Sequence, residues 1–205
     1  ALDTSVQGHI SASLQGTLGV TETSAINFGN FSVGAACGAG CVGNGSIVLS
    51  EKGNRIATAG GDGVALLVGT QNGLETAAGI ADGANLGTGG QAPGFYNITN
   101  GDGITNVYVS FANSTGQIMD SSHSTNTVSL SGPVASAFTV DSFTWELVTG
   151  TTGYAGTANT ADVYGKYVAC AASCNIRVGA TLRTVAAAIP TPGKYTGTYY
   201  LMVSY

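Results

Sequence analysis

Val6–Val20 reads VQGHISASLQGTLGV. Its even positions (Val6, Gly8, Ile10, Ala12, Leu14, Gly16, Leu18, Val20) are apolar or glycine, and its odd positions are almost all polar. A period of two marks a strand with one buried face, not a helix. At about 3.3 Å per residue the stretch reaches roughly 50 Å, whereas an ordinary strand covers about 17 to 20 Å. One small sandwich does not contain it straight. Either the chain bends near Gly16 into two strands of its own domain, or its first half leaves the domain and pairs with something else. The second is the expectation, because the alternating positions are too many for a single sandwich.

Composition narrows the class. The 205 residues suit one large all-β domain or two small ones, with enough apolar material for a core that needs no metal. Only 8% of residues are charged, against about 25% in an ordinary domain. There are 32 glycines, roughly double the usual share of about 7%. With 43% apolar residues the chain is nonetheless not of the disordered class. Its surface is therefore expected to be covered with Ser, Thr, Asn and Gly, as in secreted and cell-wall proteins. A net charge of −5 with six Lys and Arg argues against nucleic acid or an anionic membrane as partner. No stretch approaches the roughly 18 consecutive apolar residues of a membrane span. The sequence opens at Ala1-Leu2-Asp3, as after signal-peptide removal, so an exported, extracellular chain is expected.

Four cysteines form two matching pairs, Cys37-GAG-Cys41 and Cys170-AAS-Cys174. In an exported chain the default is two disulfides. Three connectivities are open, with the two local closures preferred. The rival, a four-cysteine zinc site, belongs more often to cytosolic modules with basic neighbours.

Along the chain, Ile26 and Phe28 precede a glycine that forces a bend, and a short strand is expected after it. Ile47–Ser50, Val64–Val68, Phe95–Ile98, Val107–Phe111 and Val128–Leu130 carry further strand patterns, with VALLV at 64–68 suited to burial on both faces. Asn-Gly or Asp-Gly pairs at 44, 62, 72, 82, 100 and 102 favour tight hairpin turns and so antiparallel sheet. FTVDSFTWEL, from Phe138 to Leu147, changes phase between Val140 and Phe143, which predicts a bulge or a strand that switches sheets. Trp145 within it is expected in the core. Residues 150–165 read as a long surface loop. At the end, KYTGTYYLMVSY places Tyr195, Gly197, Tyr199, Leu201, Val203 and Tyr205 on one face of a strand that runs to the last residue.

The chemistry of catalysis is thin. His9 falls on the polar face of the opening strand and His123 in the serine-rich SSHS turn, and no nucleophile-elbow, zinc-protease or P-loop motif occurs. Gly38-x-Gly40-x-x-Gly43 matches a dinucleotide fingerprint only formally, since a turn and a strand follow it where a helix N-terminus is required. Asn100-Gly-Asp102-Gly lacks the alternating acids and closing glutamate of a calcium loop. No catalytic residue, metal ligand or cofactor is expected, and the chain is not read as an enzyme.

TLGVTETSAINFGNF (Thr17 to Phe31), VGATLRT (Val178 to Thr184) and PGKYTGTYYLMVSY (Pro192 to Tyr205) resemble a family of secreted bacterial β-domains of unknown function. That family is similar to the spore-coat-U-like subunits of archaic chaperone–usher pili. The resemblance implies an immunoglobulin-like antiparallel β-sandwich, incomplete by its last strand, the gap being filled by the N-terminal extension of the next subunit. Residues 1–16 would then be a donor-strand extension, with Val6, Gly8, Ile10, Ala12 and Leu14 facing a neighbour's groove, and residues 17–205 a single pilin-like domain. The Tyr195–Tyr205 strand would edge that groove. The implied partners are identical subunits in a homopolymeric filament, with a periplasmic chaperone and an outer-membrane usher for assembly. The alternative is a monomeric secreted or cell-surface β-sandwich that binds a ligand or acts as an adhesin, in which the opening stretch is two edge strands.

Overall fold

A computed structural model describes residues 18–33, 45–58, 66–67, 90–100, 106–119, 123–148, 165–170, 172–185 and 190–205. The expectations on residues 1–16, His9, the 37–41 cysteine pair, the Asn-Gly and Asp-Gly pairs at 62, 72 and 82, and the loop at 150–164 lie outside these residues. Twelve strands follow one another: β1 (Leu18–Ser24), β2 (Ser32–Val33), β3 (Ser46–Leu49), β4 (Arg55–Thr58), β5 (Leu66–Leu67), β6 (Gly94–Asn100), β7 (Asn106–Asn113), β8 (Val128–Ser129), β9 (Phe138–Val148), β10 (Gly165–Ala169), β11 (Ser173–Thr184) and β12 (Tyr199–Ser204). Every pairing between them is antiparallel. The chain is an all-β sandwich.

The larger sheet has seven strands and is built on β11. One edge of β11 pairs with β9 over nearly its whole length. The other is shared end to end, by β6 along Ser173–Val178 and by β3 along Ala180–Arg183. Outside these lie β1 on β6, β4 on β3 and β8 on β9. The smaller sheet has three strands in the order β10-β7-β12. A separate two-stranded ribbon joins β2 to β5. The apolar run at 64–68 thus contributes the two-residue strand β5, paired with β2.

Alternation fills the space between the sheets. Val107, Val109 and Phe111 of β7 are fully buried against Ile98 of β6, Phe143 and Trp145 of β9, and Ile176 and Val178 of β11. The Phe111 and Phe143 rings stack at 5.3 Å between centroids, tying one sheet to the other. Trp145 packs in this core, 3% exposed. The expected phase change in β9 is a bulge. Asp141 pairs with Thr181 and Thr144 with Gly179, so two residues of β9 oppose one of β11. Ser142, inside the bulge, takes a φ of 50°. That one extra residue keeps both Val140 and Phe143 on the core side.

Two expectations are corrected. β6 and β7, on either side of the Asn-Gly and Asp-Gly pairs at 100 and 102, do not pair as a hairpin there would require: β6 belongs to the larger sheet and β7 to the smaller. Turn-prone residues fix that the chain reverses, not which sheet it rejoins. The final strand is also shorter than the alternation suggests: β12 covers Tyr199–Ser204, leaving Tyr195 and Gly197 before it and Tyr205 after it. Thr196 instead forms an isolated bridge to Ser131, with reciprocal bonds of 2.8 and 2.9 Å, which draws the chain toward β8 of the other sheet before it joins β7.

Candidate functional site

Past the end of β1, among the described residues, the smaller sheet leaves part of the larger sheet's inner face uncovered, and a cavity of about 1080 Å³ opens there. That is at the upper end of the roughly 300–1,000 Å³ typical of ligand pockets. Its floor is apolar: Val128 and Leu130 beside β8, Val140 and Phe143 from β9, and Leu182 from β11. Its two walls are the segments 24–31 and 193–199.

The first wall is held off the sheet by local chemistry. Asn27 and Ala92 exchange backbone hydrogen bonds of 2.8 Å each. The Asn27 side-chain oxygen accepts from the Gly29 N–H at 2.8 Å, and Gly29 turns the chain at a φ of 72°, a conformation glycine adopts without cost. Arg55 completes the fixture. Although it lies on β4 and is 1% exposed, its Nη1 donates to the carbonyls of Phe28 at 2.7 Å and Asn30 at 2.8 Å. Burial lowers its pKa from the ordinary value, yet a guanidinium keeps its charge throughout the physiological range. Ile26, Phe28 and Phe31 of the wall pack partly buried against the core, with the Phe31 ring edge-on to Phe138 at 5.6 Å.

The second wall is pinned at its mouth. The Tyr195 ring meets Phe138 edge to face at 4.8 Å, and its hydroxyl donates to the Thr191 carbonyl at 2.9 Å. Gly197 lets this wall lie close on the floor, since a Cβ there would sit 2.5 Å from Leu130 Cδ2 and 3.0 Å from Val128 Cγ1. Beyond it Tyr199, Leu201 and Val203 pack against the core, while Tyr200 and Met202 point outward, 51% and 36% exposed. Among the described residues β12 pairs only with β7, so its other edge faces the cavity side unpaired.

At the inner end of the cavity three side chains from three strands join. The Tyr96 hydroxyl of β6 donates to Glu22 Oε2 of β1 at 3.0 Å and also meets the Tyr199 hydroxyl of β12. A phenol has one proton, so with Tyr96 donating to the carboxylate, Tyr199 donates to Tyr96. Burial, first of all, raises the pKa of both phenols, and the neighbouring Glu22 charge adds to it, so both stay neutral at physiological pH. Farther along, the Tyr205 hydroxyl donates to Asn100 Oδ1 at 3.3 Å, a second tie between the chain end and β6.

Of the residues singled out in the sequence, Tyr195, Gly197 and Tyr199 line the cavity, whereas Leu201, Val203 and Tyr205 continue past it. The donor positions Val6, Gly8, Ile10, Ala12 and Leu14 lie outside the described residues, as do Cys37 and Cys41. Cys170 and Cys174 are bonded to each other, Cα to Cα 5.4 Å, the local pairing. His123 sits exposed in its turn. Among the described residues no group of His, Cys, Asp and Glu could hold a metal ion, and no helix is long and apolar enough to cross a membrane. Arg55, Glu22 and Tyr96 shape the site without having stood out in the sequence. The Arg55-Ile56 pair held a faint signal, since a strand following a serine-led turn must bury one of two successive residues. Compared with family models, curated proteins and solved structures, the chain matches none of them.

Proposed function

We propose that the chain is a structural subunit of an extracellular filament, in which part of the 1–16 extension of one copy lies as a strand in the cavity of the next. One observation supports this reading: a walled cavity with an apolar floor lies between the segments 24–31 and 193–199, at the start of β12. An added strand there would gain main-chain hydrogen bonds from the wall segments and side-chain pockets at alternate positions. The opening residues supply that alternation in Val6, Gly8, Ile10, Ala12 and Leu14. On this reading the domain is an immunoglobulin-like sandwich short of one strand.

Burying Val6, Ile10 and Leu14 contributes at most roughly 4.5 to 9 kcal/mol gross, at about 1.5 to 3 kcal/mol per side chain and before ordering costs. Because plug and cavity are different surfaces, the contact is heterologous and open-ended, and repetition makes a fibre. Identical subunits are the partners, and a chaperone and usher would be the assembly machinery of such an exported chain.

Deleting residues 1–15 tests the reading. A fibre subunit loses assembly but takes up a synthetic 1–15 peptide, with a rise in melting temperature. A monomeric binding domain or adhesin is destabilised by the deletion and ignores the peptide.

A further inference from the structure

The cavity does not run the length of β12. It is lined from Glu22 to Phe31 on one side and from Gly193 to Tyr199 on the other, and neither Val20 nor Leu201 reaches it. A strand added to the free edge of β12 would lie about 4.8 Å from it, and anything beyond would lie roughly another 4.8 Å away. Where β1 comes within 8 Å of β12, Cα to Cα, there is no room for such a strand between them. The Glu22, Tyr96 and Tyr199 side chains stand at the boundary between the open and the closed parts, linked carboxylate to phenol to phenol.

We infer that this three-residue link is an end stop that fixes how much of a donor segment the cavity accepts, an inference that rests on the filament reading above. The open wall from Gly193 to Tyr199 is about seven residues, or roughly 23 Å at 3.3 Å per residue. It accepts about seven residues drawn from Val6–Leu14 of a second copy, although the alternation continues to Val20. Tyr199 and Glu22 act as positioning residues. They hold β1 and β12 together, and so set the register in which the donor side chains meet the floor. Without the link, the seam over Leu18, Val20, Leu201 and Val203 becomes available to a longer segment. Val20 faces the same side as the fully buried Ile98 opposite it but is itself 40% exposed, so that seam has apolar surface still to cover.

Fluorescent synthetic peptides with the sequences of residues 6–14 and 1–20 test this on the dilute full-length chain. The wild type holds both with Kd values within about twofold of each other. Tyr199→Phe and Tyr96→Phe, which break the link but keep the rings, hold the longer peptide about two to ten times more tightly than the shorter, the range one net hydrogen bond implies. Glu22→Ala, at an exposed position, removes the acceptor of the Tyr96 hydroxyl and provides the same comparison should either phenylalanine variant misfold. A wild type that already favours the longer peptide tenfold overturns the end stop and leaves the filament reading intact, as do variants that hold both peptides equally. If no protein holds either peptide, the filament reading itself fails and the end stop with it.

Discussion

Arg55 on β4 reaches across to Phe28, 27 residues earlier in the chain, and donates to its backbone carbonyl at 2.7 Å. The same Nη1 also serves the Asn30 carbonyl at 2.8 Å. A buried guanidinium thus supplies donors to a wall segment that leaves β1 before these carbonyls and, among the described residues, has no ladder partner there. This is how a chain with six Lys and Arg keeps an irregular segment in place over an apolar floor.

Arg55→Ala is expected to lower unfolding stability by about 2 to 4 kcal/mol, because hydrogen bonds from a charged donor contribute about 1.5 to 3 kcal/mol each and their loss strands two carbonyls. Arg55→Lys recovers only part of it, since an ammonium lacks the planar fork. Urea denaturation measures both. Equal midpoints for wild type and alanine variant would contradict this account of the wall.

The paired phenols predict alkaline sensitivity. Burial raises the pKa of Tyr96 and Tyr199 above the unfolded value near 10, so the folded state holds their protons more tightly than the unfolded state does. Their contribution is therefore complete below about pH 10 and is lost as pH rises beyond it, at up to about 1.4 kcal/mol per pH unit for each phenol. Urea midpoints taken from pH 8 to 11 should be level and then fall, and Tyr199→Phe should flatten the fall. A decline as steep in the Tyr96→Phe/Tyr199→Phe double variant would assign it to other groups.

Gly179 separates tight packing from conformational freedom. A Cβ there would meet the backbone of Leu49, Ser50 and Glu51, atoms that cannot swing aside as a side chain can. Gly179→Ala should cost about 1 to 3 kcal/mol, the range for overpacking a filled interior. Gly197→Ala, whose closest contacts are the Leu130 and Val128 side chains and whose only backbone neighbour among the nearest atoms is the Ser129 carbonyl at 3.4 Å, should cost less. Melting temperatures in the opposite order would show that β3 and β11 have slack between them.

The Cys170–Cys174 disulfide closes a short loop held to the end of β6, where Asn100 Nδ2 donates to the Cys170 carbonyl at 2.7 Å and Asn100 N–H to the Ala172 carbonyl at 2.7 Å. Loop-closure entropy for so small a ring predicts a loss of about 2 kcal/mol in the Cys170→Ala/Cys174→Ala double variant. Denaturation with and without a reductant gives the comparison: reductant should leave the double variant's stability unchanged at this site and lower that of the wild type.

Much of this architecture is legible in short windows of sequence. The two-residue gap between Val140 and Phe143 announces the β9 bulge, because any odd insertion in an alternating strand must be absorbed by a bulge or a change of face. Tyr199, Leu201 and Val203 show their buried face for the same reason. Long-range placement is less visible. Arg55 is 1% exposed and Ile56 61%, the reverse of the order that charge and hydrophobicity alone favour. What decides between them is a pair of carbonyls at Phe28 and Asn30, which no local pattern can bring to β4. Tyr195 and Gly197 fit the strand alternation, but the bridge from Thr196 to Ser131 takes them toward the other sheet. Glu22 and Tyr96 are unremarkable in sequence and become a site only because β1, β6 and β12 converge.

Negative-stain microscopy of the purified, undenatured full-length protein bears most directly on the central claim, that the leading residues of one copy occupy the uncovered face of the next. Unbranched filaments in the wild type, reduced to single particles when Ile10 and Leu14 are both changed to Asp, are the predicted result. Single compact particles at every concentration, unaltered by those two substitutions, would contradict it.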